Sequence, residues 1–183
     1  MSRAAPAAEF AVRDAREADM PAVQRIYAHY VLNVLATFEE TRPILEDMII
    51  RRRRTLDLGA PYLVAEMEGQ IVGYCDATAY HSRPAYRYTL EDSVYVADGL
   101  HGQGLGAALL GELIRRCEAG PWRQMVAIIG DSANRASIAL HRRFGFEHVG
   151  TLGAVGFKFG RWVDTPLMRR ALGAGERSLP GAL

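Results

Sequence analysis

The sequence predicts an α/β protein built on one mixed sheet. Two kinds of segment carry this expectation. Runs such as "YLVAEMEGQIVGYCDATAY" and "MVAIIG" have the alternating or continuous apolar character of strands, and others repeat apolar residues at i, i+3, i+4 and i+7 as amphipathic helices do. Their order, β-α-α-β-β-β-α-β-α-β-β, departs from the regular βαβα alternation of a doubly wound sheet. The 183 residues suit a single domain with a full core, placed at 9–171. The Ala-, Gly- and Pro-rich ends, 1–8 and 172–183, are expected to be flexible.

Taken in order, "FAVRDA" from Phe10 reads as the first strand. Asp19 is placed to cap a helix with Pro21 in its first turn and an inner stripe of Val23, Ile26, Tyr27, Tyr30 and Val31. A second helix over 44–58 buries Leu45, Met48 and Ile49 and stops at Gly59 and Pro61. The run "RRRR" at 51–54 points around the whole of that helix and reads mainly as a solvated surface. Two strands then turn at Glu68-Gly69 as a hairpin. A loop rich in Tyr, Arg and Pro over 80–88 leads to the strand "LEDSVYV". Gly102, Gly104 and Gly106 follow, opening a helix with an apolar face at Leu109, Leu110, Leu113, Ile114 and Cys117. "MVAIIG" reads as a central strand covered on both faces. A short helix over 134–144, ended by Gly145, and two strands over 148–158 and 162–170 close the chain.

Bulk properties narrow the function. A formal net charge of +1 provides no field to recruit nucleic acid, so the expected partner is a small molecule. The two cysteines, Cys75 and Cys117, lie in a strand-like and a helix-like segment, and no CxxC or HxxxH spacing exists, so neither a disulfide framework nor a metal site is expected. No apolar run approaches the roughly 18 residues of a membrane span, and the start has no signal-like apolar stretch. A cytoplasmic location, with no membrane partner, is the expectation.

The glycine turn points to a phosphate. A helix start presents unpaired N–H groups and the positive end of the dipole, and glycine lets a ligand approach the backbone closely. A nucleoside-triphosphate loop is excluded because no Gly-Lys-Ser/Thr follows. A dinucleotide fingerprint fails because the third glycine comes two residues after the second, and because the preceding strand carries Glu91 and Asp92. A plain tight turn stays open as the alternative.

"HGQGLGAALL", followed some 30 residues later by "NRASIALHRRFGFEHVG", resembles the signature of the GNAT N-acetyltransferases. Their Gln/Arg-x-x-Gly-x-Gly/Ala loop appears here as His101-x-x-Gly104-x-Gly106, with His101 departing at the first position. "EDSVYV", "VAIIGDSAN", "LHRRFGF" and "GTLGAVGFKFGRWVD" are similar, more narrowly, to the phosphinothricin and methionine sulfone or sulfoximine acetyltransferases. The resemblance implies a mixed, mostly antiparallel central sheet, splayed at the cofactor site and flanked by about four helices. It also implies transfer of an acetyl group from acetyl-CoA to the primary amine of a small amino-acid-like substrate by direct attack, with no metal. A homodimer formed through the C-terminal strands is part of the same expectation.

Site residues follow from the match. Glu91 is the expected base, and strand alternation turns its neighbour Asp92 to the other face, so at most one of the pair is expected to serve. His141 stands where the family carries an acid-base group; it could be base, acid or an orienting group for the water of Glu91, and the alternative is a packed histidine. Cofactor contacts are assigned to the strand residues Val94, Tyr95 and Val96 and to the turn and first helical residues His101, Gly102, Gln103, Gly104, Leu105, Gly106 and Ala107. Asn134, also a helix cap, and Ser137 complete that set. Substrate contacts are assigned to Phe38 and Glu39 in one loop and Arg83, Tyr86 and Tyr88 in another; an Arg fork suits carboxylate or phosphinate, and a solvated Arg83 is the alternative. Lys158 and Arg161 read as structural. The rival functions are a GNAT acting on a protein N-terminus or a polyamine, and a non-catalytic acetyl-CoA sensor. The basic, aromatic loop at 80–88 disfavours polyamines, and retention of Glu91 and His141 disfavours a sensor.

Overall fold

The structure is a computed structural model that describes residues 9–181. The expected flexible segment 1–8 lies outside the described residues. Eleven principal elements run in order: β1 (Phe10–Asp14), α1 (Met20–Asn33), α2 (Leu45–Asp57), β2 (Tyr62–Met67), β3 (Gln70–Ala79), β4 (Thr89–Val96), α3 (Leu105–Glu118), β5 (Gln124–Ile128), α4 (Arg135–Arg143), β6 (Glu147–Lys158) and β7 (Arg161–Ala171). They form one seven-stranded sheet in the order β1-β2-β3-β4-β5-β7-β6. Every neighbouring pair is antiparallel except β4 and β5.

Each face of the sheet has its own core. On one face α3 lays Leu105, Leu109, Leu110 and Leu113, all essentially fully buried, against β2, β3 and β4, and α4 adds Ile138 and Leu140. Truncating one of these leucines to alanine removes about 2–5 kcal/mol. On the other face α1 and α2 cover a cluster of tyrosines: Tyr74 stacks on Tyr62 and Tyr95, while Tyr27 and Tyr30 meet Tyr95 edge-on.

The parallel pair determines the shape of the site. β4 and β5 are in register only from Thr89–Gln124 to Glu91–Val126, after which β5 follows β7 instead. Residues 92–96 of β4 therefore have no strand partner on that side among the described residues. The expected splay is present, and it begins at Glu91.

Several local expectations are corrected. Asp19 does not cap α1 with its side chain; its carboxylate accepts from the Arg16 N–H at 2.7 Å and binds Arg13, closing the turn that precedes the helix. β5 is central but covered on one face only: Met125 and Ala127 are buried while Ile128 is 39% exposed. The arginine run is not uniformly solvated, since Arg51 pairs with Glu39 and Arg52 donates to the Ala15 carbonyl. Leu172, placed by composition in a flexible tail, is fully buried, and the chain after it forms a short helical turn over Gly175–Arg177.

Lys158 is a buried cation with a structural role, as expected. Its ammonium donates to the carbonyls of Tyr30, Val34 and Thr37, closing the C-terminal end of α1 and pinning the segment that follows to β6. Replacing it with methionine keeps the stem but strands those carbonyls. We expect Lys158→Met to lower the unfolding free energy by about 3 kcal/mol, read from urea denaturation.

Candidate active site

The glycine turn supplies conformation as well as space. Gly102 and Gly104 have φ of 80° and 86°, in the left-handed region, and Gly104 is the N-cap of α3 with no side chain closing the helix start. The first N–H groups of α3 are thus left for a ligand. Gly106 serves differently: a Cβ there would meet Leu140 at 3.4 Å and Val96 at 3.8 Å, so it lets the first turn of α3 lie close to α4 and β4.

β4 contributes its free edge. The Ala97 N–H donates to the Val72 carbonyl and the Tyr80 N–H to the Thr89 carbonyl, so the odd-numbered residues turn their backbones toward β3. Val94 and Val96 consequently direct theirs into the splay, where the Val96 carbonyl already accepts from the Tyr30 hydroxyl at 2.7 Å. Tyr95, expected among the backbone contacts, faces β3 with its main chain and gives its ring to the tyrosine cluster.

α4 closes the other wall. The Asn134 side-chain oxygen accepts from the Ser137 N–H at 3.2 Å, the cap the sequence predicts. His141 is buried, with Nδ1 2.7 Å from the Ser137 carbonyl and Nε2 2.9 Å from Asp92 Oδ2. A carbonyl only accepts, so Nδ1 carries a hydrogen, and one further proton is held between Nε2 and Asp92. Burial opposes the charged imidazole, but the hydrogen bond and charge of Asp92 and the Ser137 carbonyl together hold its pKa above the ordinary value. His141 thus meets Asp92 rather than the surroundings of Glu91. Strand alternation holds: Asp92 pairs with His141 on one face, and Glu91 lies on the other.

Glu91 lies on the α1–α2 face, half-buried, its carboxyl pushed up to about 7 by burial and by the charge of Asp92. On the same face stands Asp76, which belongs to no motif of the sequence. It too is pushed up to about 7, by burial and the charge of Asp92, with Arg51 acting in the opposite sense. The available signal was a carboxylate inside the apolar strand "VGYCDATAY", in phase with Tyr74 and Thr78.

One cleft of about 1890 Å³ connects these features, from the glycine turn through the splay to the α1–α2 side. Its walls include Glu91, His141, Phe38, Glu39 and every predicted cofactor residue except Gln103. Phe38 lies over Gly156, and Glu39 is held by a two-point pair with Arg51 at 2.7 and 3.1 Å. Arg83, Tyr86 and Tyr88 are not brought to it. Arg83 is exposed ahead of a short helical turn, Tyr86 packs on Tyr80 and His81, and the Tyr88 hydroxyl donates to the Gly181 carbonyl. Among the described residues no group of three or more His, Cys, Asp or Glu is arranged to hold a metal.

An uncapped helix start beside an unpaired strand edge fits a ligand with a phosphate end and an amide-bearing arm, as acetyl-CoA has. Residues 22–146 match the model of the Acetyltransferase (GNAT) family. The chain belongs to this family. It is 54% identical over 169 residues to a phosphinothricin N-acetyltransferase of Alcaligenes faecalis, covering 92% of this chain and 86% of the relative. It is 42% identical to an L-methionine sulfoximine/L-methionine sulfone acetyltransferase of Pseudomonas aeruginosa, covering 86% and 92%. The crystal structure of a GNAT phosphinothricin acetyltransferase from Sinorhizobium meliloti, in complex with acetyl-CoA, superposes with a TM-score of 0.91 at 46% identity, covering 94% of this chain and 93% of that one.

The raised carboxyl of Glu91 has two opposite pH consequences. As a base Glu91 would work ionised, so kcat/KM is expected to rise with pH through a midpoint near 7. A carboxyl whose pKa is higher folded than unfolded binds its proton better in the native state, so its stabilising effect is present in acid and is lost as pH rises toward about 7. Thermal melts of wild type and Glu91→Gln are expected to diverge across that range, the variant gaining relative to wild type as pH rises.

Proposed function

We propose that this GNAT enzyme acetylates the amine of a small amino acid of the phosphinothricin, methionine sulfone or methionine sulfoximine type, drawing on cytoplasmic acetyl-CoA. The observation that carries this is the end of β4–β5 pairing at Glu91, which places a carboxylate of raised pKa where the splay opens to the α1–α2 side. Acetyl-CoA supplies an activated acyl group, a thioester, when bound.

The chain's own groups then have separable tasks. The start of α3 and the turn ahead of it hold phosphate oxygens, and the Val94 and Val96 backbones take the place of strand partners for the pantetheine arm. Glu91, directly or through one water, takes a proton from the substrate ammonium and frees the lone pair for attack on the acetyl carbon. A nitrogen–carbon bond forms as the carbon–sulfur bond breaks, and the second proton lost by nitrogen finishes on the thiol. His141 has both ring nitrogens engaged, so its part is to tie α4, with Asn134 and Ser137, to β4. Phe38 walls the substrate end.

A second copy of the chain is proposed to cover the β6–β7 hairpin. Val149, Leu152, Val155, Phe157 and Trp162 are between 50% and 67% exposed on these two strands, an apolar surface of the kind subunit contacts bury. Sedimentation is expected to give a dimer for wild type and a monomer for Trp162→Glu.

The activity is tested by thiol release from acetyl-CoA with phosphinothricin and with methionine sulfone. Turnover by wild type and a loss of at least about a hundredfold in Glu91→Gln is expected, the size of a general-base contribution. A protein that binds acetyl-CoA and acetylates neither compound refutes the substrate class.

A further inference from the structure

Asp76 is a carboxyl group without a counterion among the described residues. It sits on β3 opposite Ser93 of β4, one step from the facing pair Thr78–Glu91, so Asp76 and Glu91 are diagonal neighbours on one face of the sheet. Such neighbours have Cα atoms about 7–8 Å apart, close enough for both side chains to reach one small group between them. The residue is only 9% exposed, and that exposure is to the cleft, whose wall it forms. No hydrogen bond or ion pair to its carboxylate occurs among the described residues, although Tyr62 faces it from β2. The nearby cation, Arg51 of α2, is already committed to Glu39 in the two-point pair. The other charges bearing on it, Glu91 on the same face and Asp92 through the strand, are negative.

Resting on the functional reading above, we infer that Asp76 is the second carboxylate of the amine site, holding the substrate nitrogen as an ammonium together with Glu91. A buried carboxylate without a partner is strongly disfavoured, and a primary ammonium entering the cleft removes that penalty. Three N–H bonds on one nitrogen serve two carboxylates and still leave one bond free for a hydroxyl or water. The arrangement also separates substrate from product. Once one proton has passed to Glu91 and the nitrogen is an amide, Asp76 faces no positive charge, so the product is held less firmly than the substrate.

The test is steady-state kinetics of the full chain with methionine sulfone, comparing wild type with Asp76→Asn. The isosteric amide is expected to raise KM for the amine about tenfold or more while leaving KM for acetyl-CoA within about twofold, as loss of a charge-assisted contact confined to substrate requires. Tm at pH 8 is expected to hold or rise, because an uncompensated buried charge has gone; a structural carboxylate would lower it. With the α-aminooxy analogue of the substrate, whose nitrogen is neutral at pH 7, the variant is expected to match wild type. Asp76→Ser repeats the measurement should the amide lower Tm. An unchanged KM for methionine sulfone, or equal losses for both substrates and for acetyl-CoA, overturns the role of Asp76 while leaving the enzyme's function intact. A wild type that turns over neither methionine sulfone nor phosphinothricin overturns both.

Discussion

A strand edge left unpaired inside a protein is unstable unless something completes it, and here that edge begins one residue beyond Glu91. β5 leaves β4 because it is held by β7, which pairs with it along its whole length. The gap so made is bounded by the start of α3 on one side and α4 on the other, both fixed by the leucine-rich core beneath. The candidate site is arranged along this edge: an uncapped helix start at its far end, backbone donors and acceptors along it, and a carboxylate where it starts.

The second feature of the site is a concentration of negative charge that the fold does not neutralise. Asp76, Glu91 and Asp92 lie on two adjacent strands, and among the described residues only Asp92 has a protein partner, His141. The other two resist ionisation up to about pH 7, so the free protein carries part of its own instability in the wall of the cleft. Arg51 is the nearby cation, but Glu39 holds it. Stability has been exchanged for two carboxyls that are poised near neutral pH.

Much of the architecture was legible in the sequence, because strand and helix periodicities are long and the glycine turn is specific. The Asn134 cap, the Glu68-Gly69 hairpin and the α3 face all appear where their residues place them. What was hidden depended on partners distant in the chain. Asp19 has the composition of a helix cap but finds Arg13, and His141 finds Asp92, 49 positions earlier. Asp76 was missed because one polar residue in an apolar strand has no periodic signal of its own. That the Tyr95 main chain turns to β3 was hidden because the side of a strand that turns to a neighbour is decided by register, which local sequence does not carry. The aromatic loop at 80–88 has the right chemistry for a substrate, but its tyrosines are used against one another and against the C-terminal segment.

Gly156 on β6 has a significance beyond its own strand. A methyl group there would come within 2.5 Å of the Phe38 ring, so the depth at which that ring sits is permitted by a missing atom on an element that contributes no catalytic group. The width of the cleft beside Phe38 can therefore change through a substitution at a position outside the cleft wall. Graded side chains at this one position would form a natural series for retuning which amino acids the cleft admits, leaving the acyl-donor half of the protein untouched.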